Sequence, residues 1–386
     1  MTPGRKWLMY TLLFFGLLLS APTYSAPAKV VFLSPDDSRY WGMVSQFMAS
    51  VAHDLDIELE TLVDYQRHRF SYLQLAEEVL KRPEPPDYLV FMFKEHVSSR
   101  MLALAEQAGV KAFTMNTEVP ANDRETLGEP RQRFAHWIGH LLTDNVDVGS
   151  HLAQLLRQQA EQRGIIDPEE TLQLIALTGT ADSSAALDRN RGLQLAANDY
   201  NINILQLIRA DWSEQEAEAK SRVLLQRFPQ TQAVWAASDG MTLGAIEALR
   251  QLGLKPGAQV ITGGVDWEPR ALQAIAEGAM NVSLGRHFMD GGALLILLHD
   301  YHHGFDFVDE QITPTVRYRL KAIDSETVAR YTQAIDPTHW ERVDFSHFSR
   351  ALNPALAANP MPATALMDAL TDALLDQARV PNRAQP

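Results

Sequence analysis

Over residues 29–303, short runs that are apolar almost throughout alternate with longer stretches in which apolar residues return every three or four positions. KVVFL, IELETLV, DYLVFMF, KAFTMN, HWIGHLL, LQLIALTG, INILQLI, AVWAAS, QVITGGV and MNVSLG are of the first kind. A strand covered by helices on both faces has no polar face, so these runs read as parallel strands. The second kind shows helical spacing, with Val44, Phe47, Met48, Val51 and Leu55 on one face after Tyr40 and Trp41. Met241, Ala245, Ala248, Leu249 and Leu252 repeat the pattern after Ser238 and Asp239, and Gly253 supplies a left-handed stop. Such alternation builds open parallel sheets with helices on both sides. About ten strands exceed the usual size of one sheet, so two sheets are expected.

The fold class is therefore α/β, with two doubly wound parallel-sheet lobes joined by several crossings that form a hinge. The break falls near Asp144 and Asn145, where a strand ends and a polar helix start follows. The expected first lobe is 26–142 plus a returning segment 286–308, and the second is 143–285 plus 309–323, with a short strand near 313–320. Residues 324–386 form an extension: THWERVDFSHF reads as extended, NPALAANPMPATA as a linker. A last amphipathic helix carries Leu366, Leu370 and Leu374, whose stripe is expected to pack on the body, with docking on a partner as the alternative.

Composition then narrows the setting. Arg5 and Lys6 precede the uncharged run from Trp7 to Leu19, and Thr23 and Ser25 place small residues before a cleavage point at Ala26. That run is short of the roughly twenty residues a spanning helix needs, so residues 1–25 read as a cleaved signal peptide, with an uncleaved anchor as the alternative, and the protein as exported. With no cysteine, neither disulfides nor a lipidated cysteine enter. Lys and Arg number 34 against 48 Asp and Glu, a formal charge of −14. This repels nucleic acid and favours an uncharged ligand.

In open parallel sheets ligands bind beyond the carboxyl ends of strands. Those ends carry Asp36, Asp37, Ser38, Tyr40 and Trp41 after the first strand, and Asn116 after KAFTMN. Arg189 follows LQLIALTG, Ser238 follows AVWAAS, Asp266 and Trp267 follow QVITGGV, and His287 follows MNVSLG. Flat rings stack on the C–H faces of a sugar, while Asp, Asn and Arg each exchange paired hydrogen bonds with hydroxyls. Asp36 and Asp37 are expected to divide between ligand or helix cap and solvent, with Asp37 assigned to the ligand. Asp239 serves equally well as a cap or a ligand, and Asp144 and Asn145 as hinge and cap. His299 and His303 stand at a helix end, where histidines cap carbonyls; no third metal ligand accompanies them.

The chain resembles the periplasmic sugar-binding proteins of the ribose and galactose type. The resemblance rests on the aromatic pair Tyr40 and Trp41, the DN at 144–145, DRNRG at 188–192, AVWAASDGMTLGAIEAL and GGVDW. It implies that Ser38, Tyr40 and Trp41 wall the first lobe, that Asn116 touches the ligand, and that Arg189 reaches across from the second lobe. It further implies that Ser238 replaces a common amide, that Asp266 binds hydroxyls, and that Gly285 or its neighbours Arg286 and His287 lie near the last hinge. The implied protein is a monomeric receptor, without cofactor or catalysis, that delivers a small sugar or polyol to an ABC permease. The alternative is a sensor subunit docking on a histidine kinase, cyclase or chemoreceptor; more remote is an exported enzyme. A phosphoryl-transfer enzyme would need a lysine and further acids at later strand ends, and no phosphate loop or nucleophile motif appears. A repressor would need a helix-turn-helix where the export signal stands.

Overall fold

The computed structural model describes residues 26–310 and 313–378. The expected signal peptide and the polar end of the chain lie outside the described residues. All ten apolar runs form strands; the inner ones bury nearly every residue, and Tyr88–Met92 and Trp137–Thr143 bury all of theirs, while Glu58–Val63 and Ile202–Arg209 are only partly covered. β1 (Lys29–Ser34), β2 (Glu58–Val63), β3 (Tyr88–Met92), β4 (Lys111–Met115) and β5 (Trp137–Thr143) make one parallel sheet. β6 (Leu172–Thr178), β7 (Ile202–Arg209), β8 (Ala233–Ala236), β9 (Ile261–Val265) and β10 (Val282–Gly285) make the second.

Two further strands complete them. β11 (Thr315–Tyr318) runs parallel to β5, and β12 (Lys321–Asp324) runs antiparallel to β10. The sheet orders are thus β11-β5-β4-β3-β1-β2 and β12-β10-β9-β8-β6-β7. This corrects the expectation that 309–323 belongs wholly to the second lobe, since its first strand closes the open edge of the fully buried β5. The helix Asp290–His302 packs on Arg39–Asp54 of the first unit, so the chain emerges beside β5 before it crosses. The chain passes between sheets after β5, after β10 and between β11 and β12.

Each sheet reverses its winding beside its first strand, between β1 and β3 and between β6 and β8. At such a switch point neighbouring loops leave to opposite faces and a crevice opens. Ser38, Arg189 and Ser238 lie on chain that follows these strands.

The tail is helical where extended chain was expected. In THWERVDFSHF, helical turns form at Pro337–Trp340 and Phe345–Phe348 because Asp336 and Asp344 cap them, accepting from Thr338 N and Ser346 N. Within the expected linker, Asn353 caps Pro354–Ala358 in the same way. The last helix, Ala363–Gln377, buries Leu366, Leu370 and Leu374 against the body. No helix of the described residues is long and apolar enough to cross a membrane.

Candidate functional site

The carboxyl ends of the two sheets bring Tyr40, Asn116, Arg189, Asp266 and His287 into one buried group. Tyr40 begins the helix Arg39–Asp54, and its hydroxyl accepts from Asn116 Nδ2 (2.7 Å) while donating to the His287 carbonyl (3.3 Å). The Tyr40 ring also lies 4.8 Å, centroid to centroid, from the His287 imidazole. Trp41 sets its ring edge-on to Tyr40 at 5.1 Å and against Phe32 at 6.1 Å, and is only 7% exposed. First-sheet residues thus already touch the passage that leaves β10.

Arg189 supplies the cation. It sits on the helix Ser184–Asp199, 4% exposed, where Nε donates to Asn145 Oδ1 (2.8 Å) and one terminal nitrogen to the Ala237 carbonyl (2.6 Å). These bonds link the chain after β6 to the chain after β8, across the switch point. Burial pulls the Arg189 pKa down, and Asp266 opposes that shift.

Asp266 faces His287, whose Nε2 lies 3.2 Å from its Oδ1. Burial pushes the Asp266 carboxyl up to about 7, against the pull of Arg189. Burial and the Arg189 charge drive His287 well below its ordinary value. A neutral imidazole beside a carboxylate oxygen donates through Nε2, which leaves Nδ1 as an acceptor. His287 Nδ1 and Asn145 Nδ2 are buried and make no hydrogen bond among the described residues. The group therefore combines ring faces, a guanidinium fork, a carboxyl and uncommitted donors and acceptors. That is the equipment for holding a hydroxyl-bearing molecule.

Around Asp266 a bracing layer keeps the strand ends in place. Asp239 accepts from Ser283 Oγ (2.9 and 2.8 Å to its two oxygens) and from Glu268 N (3.0 Å). Burial, with Asp266 and Glu268 nearby, raises Asp239 well above an ordinary carboxyl. Glu268, 6% exposed, is pushed up to about 7 mainly by burial. Of the cap and ligand roles open to Asp239, the cap is taken by Ser238, whose Oγ accepts from Met241 N (3.3 Å).

Asp37, Trp267, Ser238 and Ser38 stand apart from the buried group's bonding. Asp37 does not join the group: it is exposed and bonded to Arg67 Nε at 3.0 Å, which holds its carboxyl below the usual range. Its neighbour Asp36 accepts from Ser38 N (2.8 Å) and so takes the turn-capping role. Trp267 is 1% exposed, its ring packed on Tyr331 at 4.9 Å and its Nε1 donating to Ser283 O (3.2 Å). The indole is occupied by the protein itself. Ser238 is a cap, and Ser38, half-buried, makes no side-chain cap bond. His303 Nδ1 meets the His299 carbonyl at 2.8 Å, a helix-end cap, while His299 Nδ1 meets Ser349 Oγ at 3.0 Å.

Two residues escaped the sequence reading. Asn145, expected with Asp144 as hinge and cap, holds Arg189, while Asp144 alone provides the cap to Val146 N and Asp147 N. Trp212, in the ADW that follows β7, lies directly on Gly179 at the end of β6: a Cβ there would stand 1.9 Å from the indole. Applying the strand-end rule to INILQLI as well would have found it.

The fold has counterparts among known proteins. Residues 87–294, more than half of the chain, match the family model described as "Periplasmic binding protein domain". The galactofuranose-binding protein YtfQ of Escherichia coli (strain K12) is 31% identical over 192 residues, covering 48% of this chain and 54% of that protein. The ribose import binding protein RbsB of Salmonella typhimurium (strain LT2) is 27% identical over 183 residues, covering 47% and 54%. The chain spans about half the length of these curated relatives. The crystal structure of a periplasmic sugar-binding protein from Pseudomonas fluorescens superposes with a TM-score of 0.76 at 30% identity, over 86% of this chain and 95% of that one. A galactofuranose-binding protein matches in fold with a TM-score of 0.68 at 18% identity. By the extent of the family match and the coverage of the P. fluorescens protein, this chain belongs to the periplasmic binding proteins of the ribose and galactose type.

Proposed function

We propose that the protein is a periplasmic receptor that captures a small uncharged sugar or polyol between its two lobes and delivers it to a membrane ABC permease. The observation that carries this reading is the buried convergence of Tyr40, Asn116, Arg189, Asp266 and His287 from both sheets. Trp41 walls the first-lobe side, Ser38 stands at its helix start, and Trp212 extends the ring surface over Gly179. Support also comes from relatives named for galactofuranose and ribose. The first lobe comprises 26–142, most of 286–308 and β11; the second comprises 143–285 and β12. The three crossings between the sheets form the hinge.

Closure is favoured by ligand because contacts from both lobes are made only in the closed form. The binding step requires no catalysis. Residues 1–25 direct export and are cleaved near Ser25. A sensor role would use the same capture with another membrane partner.

A thermal-shift screen of the mature protein against D-ribose, D-galactose and D-allose tests the reading, since a ligand that binds the folded state raises its melting point. The expected hit disappears in Asp266→Asn and Arg189→Ala. A hit that survives both substitutions would place the ligand elsewhere. Recovery of a permease with the native protein supports delivery; recovery of a kinase or chemoreceptor instead supports sensing.

A further inference from the structure

Two turns of the site hold backbone conformations that ordinary residues avoid. Asp266 and Trp267 have φ of 135° and 61°, and Arg286 has φ of 100°. Such conformations on non-glycine residues are strained and persist only where the surroundings over-determine them. One turn presents Asp266 and the other presents His287, and their side chains meet at 3.2 Å.

The groups that clamp both turns come from beyond β12. Tyr331 packs on the indole of Trp267, the residue after Asp266. Trp340 stacks on Phe288, the residue after His287, at 5.4 Å with the planes 17° apart. Asp368 accepts from a terminal nitrogen of Arg286, the residue before His287, at 2.7 Å, and lies 2.9 Å from Lys321 Nζ. Arg286 is 3% exposed, with its Nε donating to the Arg319 carbonyl at 2.8 Å. Asp368 is the carboxylate bonded to this buried cation, whose charge also acts on Asp290, and losing it leaves the guanidinium one partner short. Three side chains, from three separate parts of the extension, therefore bear on the chain neighbours of the same two residues.

We propose that the C-terminal extension is a working part of the binding site, with Tyr331, Trp340 and Asp368 as positioning residues that fix Asp266 and His287 for the ligand. The inference rests on the reading that those two residues belong to the ligand site. It makes affinity depend on side chains that act only through the residues adjacent to the pair. Trp340 and Phe345 both pack on Phe47 of the first unit, whereas the helix Val328–Thr332 packs on Pro269–Ala276 of the second, so the extension holds the two turns from both sides.

The test compares Tyr331→Ala and Asp368→Asn with Tyr331→Phe and Asp368→Glu, and with Asp372→Asn on the exposed face of the last helix as a control. The ligand-free readouts are amide hydrogen exchange over residues 264–268 and 284–290 and the His287 imidazole resonances in histidine-labelled protein. Tyr331→Ala and Asp368→Asn are expected to speed exchange in both turns and shift the His287 signals, with partial rescue in the conservative variants. Affinity for the sugar found with the wild type falls about 3- to 30-fold in the same two variants. Unchanged exchange and unchanged His287 signals overturn the proposal, as does acceleration spread evenly through β1 and β6, which marks general loosening. A wild type that binds none of D-ribose, D-galactose and D-allose counts against the sugar reading, while the exchange and imidazole data still judge the extension.

Discussion

At the residue scale the site is dominated by carboxyls kept out of water. Glu268 shows the consequence most cleanly, because its raised value of about 7 comes first from burial, then from the charges of Asp266 and Glu214 against Arg39 and Arg270. The folded protein holds this proton more tightly than the unfolded chain. Stability is therefore full below about pH 4.5 and declines as pH rises toward about 7, at up to about 1.4 kcal/mol per pH unit for one group. Glu268→Gln removes that dependence. Urea unfolding is expected to find the variant more stable than wild type at pH 8 by about 2–3 kcal/mol and nearly equal to it at pH 4.5. A gap of the same size at both pH values would mean that ionisation of Glu268 is not its source. The same scale shows why the acid pair after β1 resisted sequence reasoning. Asp37 is drawn outward by Arg67, a partner thirty residues away on another loop, and adjacency in the chain says nothing about that bond.

At the element scale, two helices touch backbone to backbone beneath the site. A Cβ on Gly149 would lie 2.0 Å from the Arg189 carbonyl, and one on Gly192 would lie 2.0 Å from the Val146 carbonyl. The helices Asn145–Gln162 and Ser184–Asp199 carry Asn145 and Arg189, so their close approach sets the 2.8 Å bond between those side chains. Gly192→Ala is expected to destabilise the protein by about 1–3 kcal/mol in urea unfolding, since overpacking forces the backbones apart. It should weaken ligand binding as well, through the displaced Arg189; intact affinity in the variant would show that the helices part without moving the fork. The strands and the helices between them were legible because the inner strands are apolar on both faces and most helices on one, although Glu58–Val63 is half polar and Asp290–His302 is buried all round. The capped turns of the tail were hidden because Asp336, Asp344 and Asn353 announce only short helices, within segments that read as aromatic-rich extended chain and as a Pro/Ala linker. Trp267 was misread for a similar reason: its ring is claimed by Tyr331, a contact made between parts of the chain too far apart for local spacing to show.

At the scale of the whole molecule, the rims of the two units also meet outside the buried group. Arg39, at the start of the first unit's opening helix, reaches Glu214 of the second unit at 3.0 Å. Glu214 is already held by both terminal nitrogens of Arg270, at 2.7 and 2.8 Å, and so its carboxylate is aimed before closure. Ser184 Oγ adds a bond to the Glu118 carbonyl at 2.9 Å. In the proposed capture cycle these contacts form only when the cleft shuts, which makes them resist opening without bearing on the encounter with ligand. The Arg39 side chain is 61% exposed, and an ion pair of that kind contributes about 0.2–1 kcal/mol. Arg39→Ala should therefore raise the ligand dissociation rate about 1.5- to 5-fold at low ionic strength. The difference from wild type should shrink at about 1 M salt, where screening acts over about 3 Å. Stopped-flow tryptophan fluorescence with the bound sugar measures both rates. A faster dissociation that persists undiminished in high salt would assign the effect to lost packing at the helix start, and a change confined to association would place the pair in the encounter step.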